Sequence, residues 1–295
     1  MKSAIHHIVS HCGNLKKNEK TLVIYDQSTK QLSKYFYKNI LKKTKKIIMN
    51  NIGNVKFHGK EVNKSLEKAM CDSKLIFCLT KYSLAHSTAR LKASKKGARF
   101  LSLPNYSFKF LKDRSIKVNY KKIAKKTQKL ANILTKGDQI NLFSKAGTNL
   151  NLKIKGRKGN CCPGFVKKKG DLGSPPDIEA NISPHENSSN GTAIINGSIT
   201  HPKLKKLKQN LKLKISKGKI NIIESENQKS KNLLNKIFGK KGSKKRVLAE
   251  CGIGLNPKAK LSGHMLTDEG SLGCIHLGFG ANHTVGGKNK IDFHI

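Results

Sequence analysis

Residues 21–43 read TLVIYDQSTKQLSKYFYKNILKK, and the periodicity of the chain changes inside this stretch. TLVIYD is a short apolar run closed by Asp26, the composition of a strand buried on both faces. Ser28 or Thr29 is suited to cap a helix, and the residues that follow are spaced as a helix. The same alternation recurs further along. KIIMNNI (46–52) with VKF (55–57), KLIFCLT (74–80) and ARFLSLP (98–104) read as strands. VNKSLEKAMCDS (62–73), SLAHSTARLKASKKG (83–97) and YKKIAKKTQKLANILTKG (120–137) read as helices. In the last of these, Ile123, Leu130, Ile133 and Leu134 are expected on one face, with Gly137 as the stop. Strands separated by helices predict an open, mainly parallel sheet.

Past Gly137 the texture changes. QINLFSK, NLNLKIKG, TAIINGSI, LKLKISKG and KINIIES alternate with period two, and NGT (190–192) and NGS (196–198) read as tight turns. KSKNLLNKIFGKKGSKK is a helix running into a basic linker, and RVLAECGIG and SLGCIHLGFG are glycine-rich strands. The fold class is α/β. An α/β domain over 1–145 is expected to precede a β-rich, metal-binding domain over 146–295.

The composition excludes several classes. With 36% hydrophobic residues, 295 residues suffice for packed cores. No apolar run is long enough to span a membrane, and the N-terminal MKSAIHHIVSHCGN is too short and polar for a secretory signal. A cytoplasmic protein is expected. The net charge is +43, yet only five of the 60 basic residues are arginine, aromatics make up 6%, and lysine is spread along the whole chain. A nucleic-acid face would use arginine forks and aromatic platforms, so a solvated lysine coat with no specific nucleic-acid partner is the expectation. Seven cysteines without a CxxC suit reduced thiols. GxGxxG, Walker and GxSxG motifs are absent.

Chemistry concentrates in the second half. Glu250 and His276 each precede a glycine cluster on an otherwise apolar strand. A buried carboxylate needs a partner, either a cation on a side chain or a divalent metal. The glycines of GFGAN and VGG permit close backbone approach, which gathers distant side chains around one ion. A mixed imidazole and carboxylate set suits zinc, cobalt, manganese or iron better than calcium. SLAHSTAR (83–90) carries Ser83, His86 and Arg90 on one helix; helix capping with a surface histidine accounts for it.

These blocks resemble the metallo-aminopeptidase family of aminopeptidase T and aminopeptidase S. The specific part lies in PPDIEANISPHENSSNGTAIINGSI, LAECGIGLNPKAKLSGHMLTDEGSLGCIHLGFGANHTVGGKN and the final FHI. The resemblance implies a pair of divalent ions (zinc, cobalt, manganese or magnesium) held by Glu179, Glu250, His276, His283 and His294. His283 stands where that family has tyrosine. The aspartate expected after His294-Ile295 is missing, which predicts a chain that continues. Glu179 or Glu250 would serve as ligand or proton shuttle in removing N-terminal residues from small peptides, in a possible homodimer without membrane contact. The same superfamily, by resemblance, holds 2,5-dihydroxypyridine dioxygenases with one non-haem iron. Asn256, standing where that branch has a histidine, favours the peptidase branch. The alternatives are therefore an iron-dependent ring-cleaving dioxygenase and a non-enzymatic basic protein with a decayed site.

Overall fold

The computed structural model describes residues 2–201 and 203–295. The fold is mixed α/β, and the chain separates into two compact units. The first comprises residues 1–124, 162–178 and 256–259; the second comprises 125–161, 179–255 and 260–295.

The first unit is built on parallel strands β1 (Thr21–Tyr25), β2 (Ile47–Asn51), β3 (Leu75–Leu79) and β4 (Arg99–Ser102). Their order is β2-β1-β3-β4, with a two-residue edge strand, Leu172–Gly173, beside β4. Helices α1 (Lys2–His7), α2 (Lys30–Ile40), α3 (Lys64–Cys71) and α4 (Thr88–Lys95) accompany them. β3 is buried along its whole length, as an uninterrupted LIFCL run requires in a sheet covered on both sides. Asp26 ends β1 and caps the turn into α2, its side chain accepting from Ser28 N–H. Residues 55–57 form no strand, so VKF is a loop segment; Val55 is buried there as part of the core. α5 (Tyr120–Lys136) buries Tyr120, Ile123, Thr127, Ala131 and Leu134 and leaves Ile133 56% exposed, so the expected face is rotated by one position. Ala131 is small enough for the closest approach, which a reading by apolar side chains passes over.

Among the described residues, the second unit holds a two-stranded antiparallel sheet, Ser198–Ile199 with Lys205–Lys206, and two larger sheets. One runs in the order Lys219–Ser225, Leu211–Ser216, Asn190–Ile195, Asn149–Lys153, Gln139–Phe143. Its inward residues, among them Leu150, Leu152, Ala193, Leu211, Leu213, Ile215, Ile220 and Ile223, form a core with Leu234 and Phe238 of the helix Gln228–Phe238. Asn190–Thr192 is not a turn. It lies in the Asn190–Ile195 strand, where Gly191 (φ +131°) presses against the backbone of Asn149, an approach that a Cβ would block. The other sheet runs Ile275–Phe279, Leu248–Gly254, Glu179–Ile182, Asn160–Cys162. All seven cysteines are free thiols. No helix among the described residues is long and apolar enough to cross a membrane.

Candidate metal centre

Three neighbouring strands of the second sheet carry the acidic and imidazole groups. Leu248–Gly254 pairs antiparallel with Glu179–Ile182, setting Gly254 opposite Glu179 and Gly252 opposite Asn181. On its other side it pairs with Ile275–Phe279, setting Gly252 opposite His276 and Glu250 opposite Gly278. Directly opposed residues in an antiparallel pair share a face. One face of this sheet therefore presents Glu179, Asn181, Glu250 and His276 among Gly252, Gly254 and Gly278. The other presents Ala180, Ile182, Cys251 and Ile253, which join hydrophobic clusters. Alternation with period two thus sorts ligand chemistry from core.

Donor atoms of Glu179, Glu250 and His276 all lie within 4.8 Å of one another. His294 joins through the chain end. Phe279 and Ile295 exchange backbone hydrogen bonds of 2.7 and 3.0 Å, and Ala281 N–H donates to the Phe293 carbonyl, so 293–295 run alongside the end of the Ile275–Phe279 strand. His294 Nε2 then stands 3.3 Å from Glu250 Oε2, and His276 Nε2 stands 3.3 Å from Glu179 Oε2. His283 does not enter the three-residue group.

Of the glycines in GFGAN and VGG, Gly280 (φ +108°) and Gly286 (φ +104°) take the left-handed conformations that sharp turning needs, whereas Gly278, like Gly252, acts by close approach. A Cβ on Gly252 would collide with the His276 ring, and one on Gly278 would fall 2.9 Å from His294 Nε2 and 3.1 Å from the Glu250 Cβ. Neither glycine has a positive φ. They are places where a missing side chain makes room for an imidazole lying across the neighbouring strand.

The electrostatics follow from burial. Glu179 and Glu250 are 5% and 4% exposed. Glu179 Oε1 accepts from Asn181 Nδ2 at 2.6 Å, while Oε2, beside His276, accepts no hydrogen bond of proper geometry. Burial raises the Glu179 carboxyl above its ordinary range; His276 pulls it back and the charge of Glu250 pushes it further up. For His294, burial acts downward, but the hydrogen bond and charge of Glu250 outweigh it and the imidazole is raised. His294 Nδ1 lies 2.8 Å from the Ala281 carbonyl. With Nδ1 held at the Ala281 carbonyl, Nε2 faces Glu250 and donates to it, and a bound cation would take the place of that proton. Two carboxylates, two imidazole nitrogens, and a buried carboxylate oxygen that no donor satisfies fit a divalent cation. Glu179, Glu250 and His276 bring their donor atoms within reach of one ion, with His294 beside Glu250.

Sequence reasoning did not single out Glu269. Burial first, then the charges of Glu179, Glu250 and Asp268, push its carboxyl well above the ordinary range, which makes it the third acid of this region. Its neighbour Asp268 accepts from Ser262 and Gly263 N–H groups at 2.7 and 2.8 Å and so closes a loop. No motif marks Glu269; only its DEG context, an acid pair beside glycine, stood in the sequence. Ser83, His86 and Arg90 do not share a helix: α4 starts at Thr88 with Ser87 as its cap, Ser83 and His86 precede it, and Arg90 is 5% exposed, its Nε donating to the Ala85 carbonyl.

A sequence model of the family described as NicX, 2,5-dihydroxypyridine 5,6-dioxygenase, matches residues 12–295. The solved 2,5-dihydroxypyridine dioxygenase of Pseudomonas putida KT2440 is similar in fold, with a TM-score of 0.82 at 16% identity over 99% of this chain and 89% of that one. Wild-type AmpT from Thermus thermophilus is also similar, with a TM-score of 0.71 at 11% identity over 100% and 91%. No curated protein matches the sequence. The fold is shared with both solved proteins, and the choice of activity is corrected. The aminopeptidase reading, with its hydrolase and protease chemistry, gives way to the dioxygenase, whose family match spans nearly the whole chain. Asn256 misled because its role is structural. It is fully buried, its Nδ2 donating to the Ser115 and Pro176 carbonyls at 3.1 and 2.7 Å. On the match from Cys12 to the end, the chain belongs to the NicX family, the 2,5-dihydroxypyridine 5,6-dioxygenases.

Proposed function

We propose that this protein is a non-haem iron dioxygenase that opens the ring of a hydroxypyridine-like substrate. The observation that carries the reading is the family match over residues 12–295. The imidazole and carboxylate donor set is its chemical support, since such mixed sets with open positions suit ferrous iron. Glu179, Glu250, His276 and His294 are the residues that would hold the ion. Iron, when bound, supplies the redox chemistry by which oxygen enters an aromatic ring.

The chain's own groups supply positioning and proton handling. The Ala281 carbonyl fixes the His294 ring so that Nε2 faces Glu250. Asn181 holds Glu179 Oε1 and so turns Oε2 toward the ion. A carboxyl raised by burial binds a proton more tightly than a free glutamate would, and Glu179 would give up that proton on taking the ion. Glu269 adds a third carboxyl, raised by burial and by the charges of Glu179 and Glu250.

Protein loaded with one equivalent of ferrous iron is expected to consume oxygen with 2,5-dihydroxypyridine and to remove the ring absorbance. Iron-loaded protein that takes up no oxygen with this substrate overturns the assignment. Glu250→Gln is expected to lower iron stoichiometry while leaving the circular dichroism spectrum unchanged.

A further inference from the structure

The geometry points to a second metal site, at the opposite end of the sequence from the first: a two-histidine site on the N-terminal helix, formed by His7 and His11, for a borderline divalent transition metal. It belongs wholly to the first unit and does not depend on the dioxygenase reading.

α1 does not stop at His7 but continues as a π-helical turn over Ile8–Cys12, closed by Gly13 N–H donating to the Ile8 carbonyl at 2.7 Å. π turns inserted at the end of α-helices recur at functional sites. Residues four apart on a helix are neighbours on its surface, and paired histidines at that spacing grip one metal ion from one side. The buried residues of the segment, Ala4, Ile5, Ile8, Val9 and Cys12, face the core, which leaves His11 exposed and His7 at the edge of the core, partly buried.

The ring positions decide the matter. The His7 and His11 ring centres are 4.9 Å apart, with planes inclined at 54°. A metal–imidazole bond is about 2.0–2.1 Å and a ring centre lies ~1.1 Å behind its nitrogen, so two imidazoles bound cis to one ion have centres roughly 4.5–5.2 Å apart. The observed pair falls in that range without rearrangement. His6, with its ring 6.3 Å from that of His11 and nearly perpendicular to it, lies outside the range. His7 Nε2 is buried and has no hydrogen-bond partner, a nitrogen lone pair or N–H that nothing in the protein satisfies. Tyr120, whose ring centre is 5.6 Å from that of His7, backs the ring and holds it in place.

Two imidazoles and water make a weaker site than four protein ligands, and the Lys117 charge, felt at His7, weakens it further. The ion taken is therefore the one highest in the order of affinity for nitrogen donors, Cu2+, followed by Ni2+ and Zn2+.

The test is a Cu2+ titration of the metal-free full chain, read by visible absorption and electron spin resonance, with His7→Asn, His11→Asn, His6→Asn and Glu250→Gln beside the wild type. Thermal unfolding of each metal-free variant serves as the fold control. Beside the ion taken up at the Glu250 centre, wild type and His6→Asn are expected to bind one further Cu2+ with nitrogen hyperfine structure that both His7→Asn and His11→Asn lose, with affinity at that step down at least tenfold. Glu250→Gln is expected to keep this signal. His11 is exposed, so His11→Asn decides the question if His7→Asn unfolds. Unchanged copper stoichiometry and hyperfine pattern in His11→Asn overturn the site, as does loss of the signal in His6→Asn or Glu250→Gln alone.

Discussion

At the scale of single residues, the metal centre depends as much on absent side chains as on present ones. Gly252 and Gly278 leave space that the His276 and His294 rings fill. Gly252→Ala sets a methyl group against the His276 ring. Overpacking of this kind costs about 1–3 kcal/mol, and displaced ligand geometry costs about ten- to a hundredfold in metal affinity. The expected result is a folded protein with weakened iron binding, measured by competition with a chelator; wild-type affinity would show that the ring does not depend on that space. The sequence made the acids and imidazoles visible as residue types in a glycine-rich setting, and Glu179, Glu250 and His276 do meet. It could not show what the glycines do, because a glycine that turns the chain and one that vacates space look alike until the register is known. Glu269 was hidden for a related reason: its environment is made by residues about 20 and 90 positions away, and no local spacing records that.

At the scale of elements, the last strand segment is held by a polar network rather than by length. Asn282 Nδ2 donates to Ser183 Oγ and Glu186 Oε1 at 2.9 and 3.0 Å, and Asn282 Oδ1 accepts from Asn289 N–H at 2.7 Å. Glu186 is paired with Arg157 at 2.7 Å, and Asn289 Nδ2 donates to the Gly280 and Lys244 carbonyls. A Cβ on Gly287 would collide with the Asn282 amide, so that loop can close only over glycine. Asn282→Ala leaves buried donors and acceptors unpaired, at about 1–3 kcal/mol. It is expected to speed amide hydrogen exchange over residues 280–295 and to loosen His294 from the metal, while exchange in β1–β4 stays unchanged. Strands and helices were legible here because each has a strong period, as TLVIYD and KINIIES show. Asn190–Thr192 was misread because an Asn-Gly pair signals a turn locally, whereas the partner strand at Asn149 dictates a close approach.

At the scale of the whole molecule, proton uptake links the metal centre to stability. The Glu179 and Glu269 carboxyls are raised above the ordinary carboxylate value of 4.5, and the His294 imidazole is raised above 6.5. Each binds its proton more tightly in the folded chain than in the unfolded one. The stability they contribute is complete below the unfolded values and is lost as pH rises through the folded ones. The metal-free protein is therefore expected to unfold at progressively lower temperature between about pH 5 and 8. Metal-loaded protein should show a shallower slope, because the cation offsets repulsion among the carboxylates. A metal-free melting temperature that is flat or rising over that range would contradict this account. The parallel order of the first sheet was readable from its strand–helix alternation. The choice between two activities on one fold was not, since a shared fold does not fix the chemistry of its site.

The position of the His276 ring over Gly252 carries one more consequence. The ring lies on bare main chain, so cutting the side chain back to nothing should leave a slot of the ring's own shape with its floor intact. A His276→Gly protein would then behave as a lock with its key removed: free imidazole added to the solution should enter the slot, reach the ion and restore much of the lost iron occupancy, whereas bulkier N-substituted imidazoles should not.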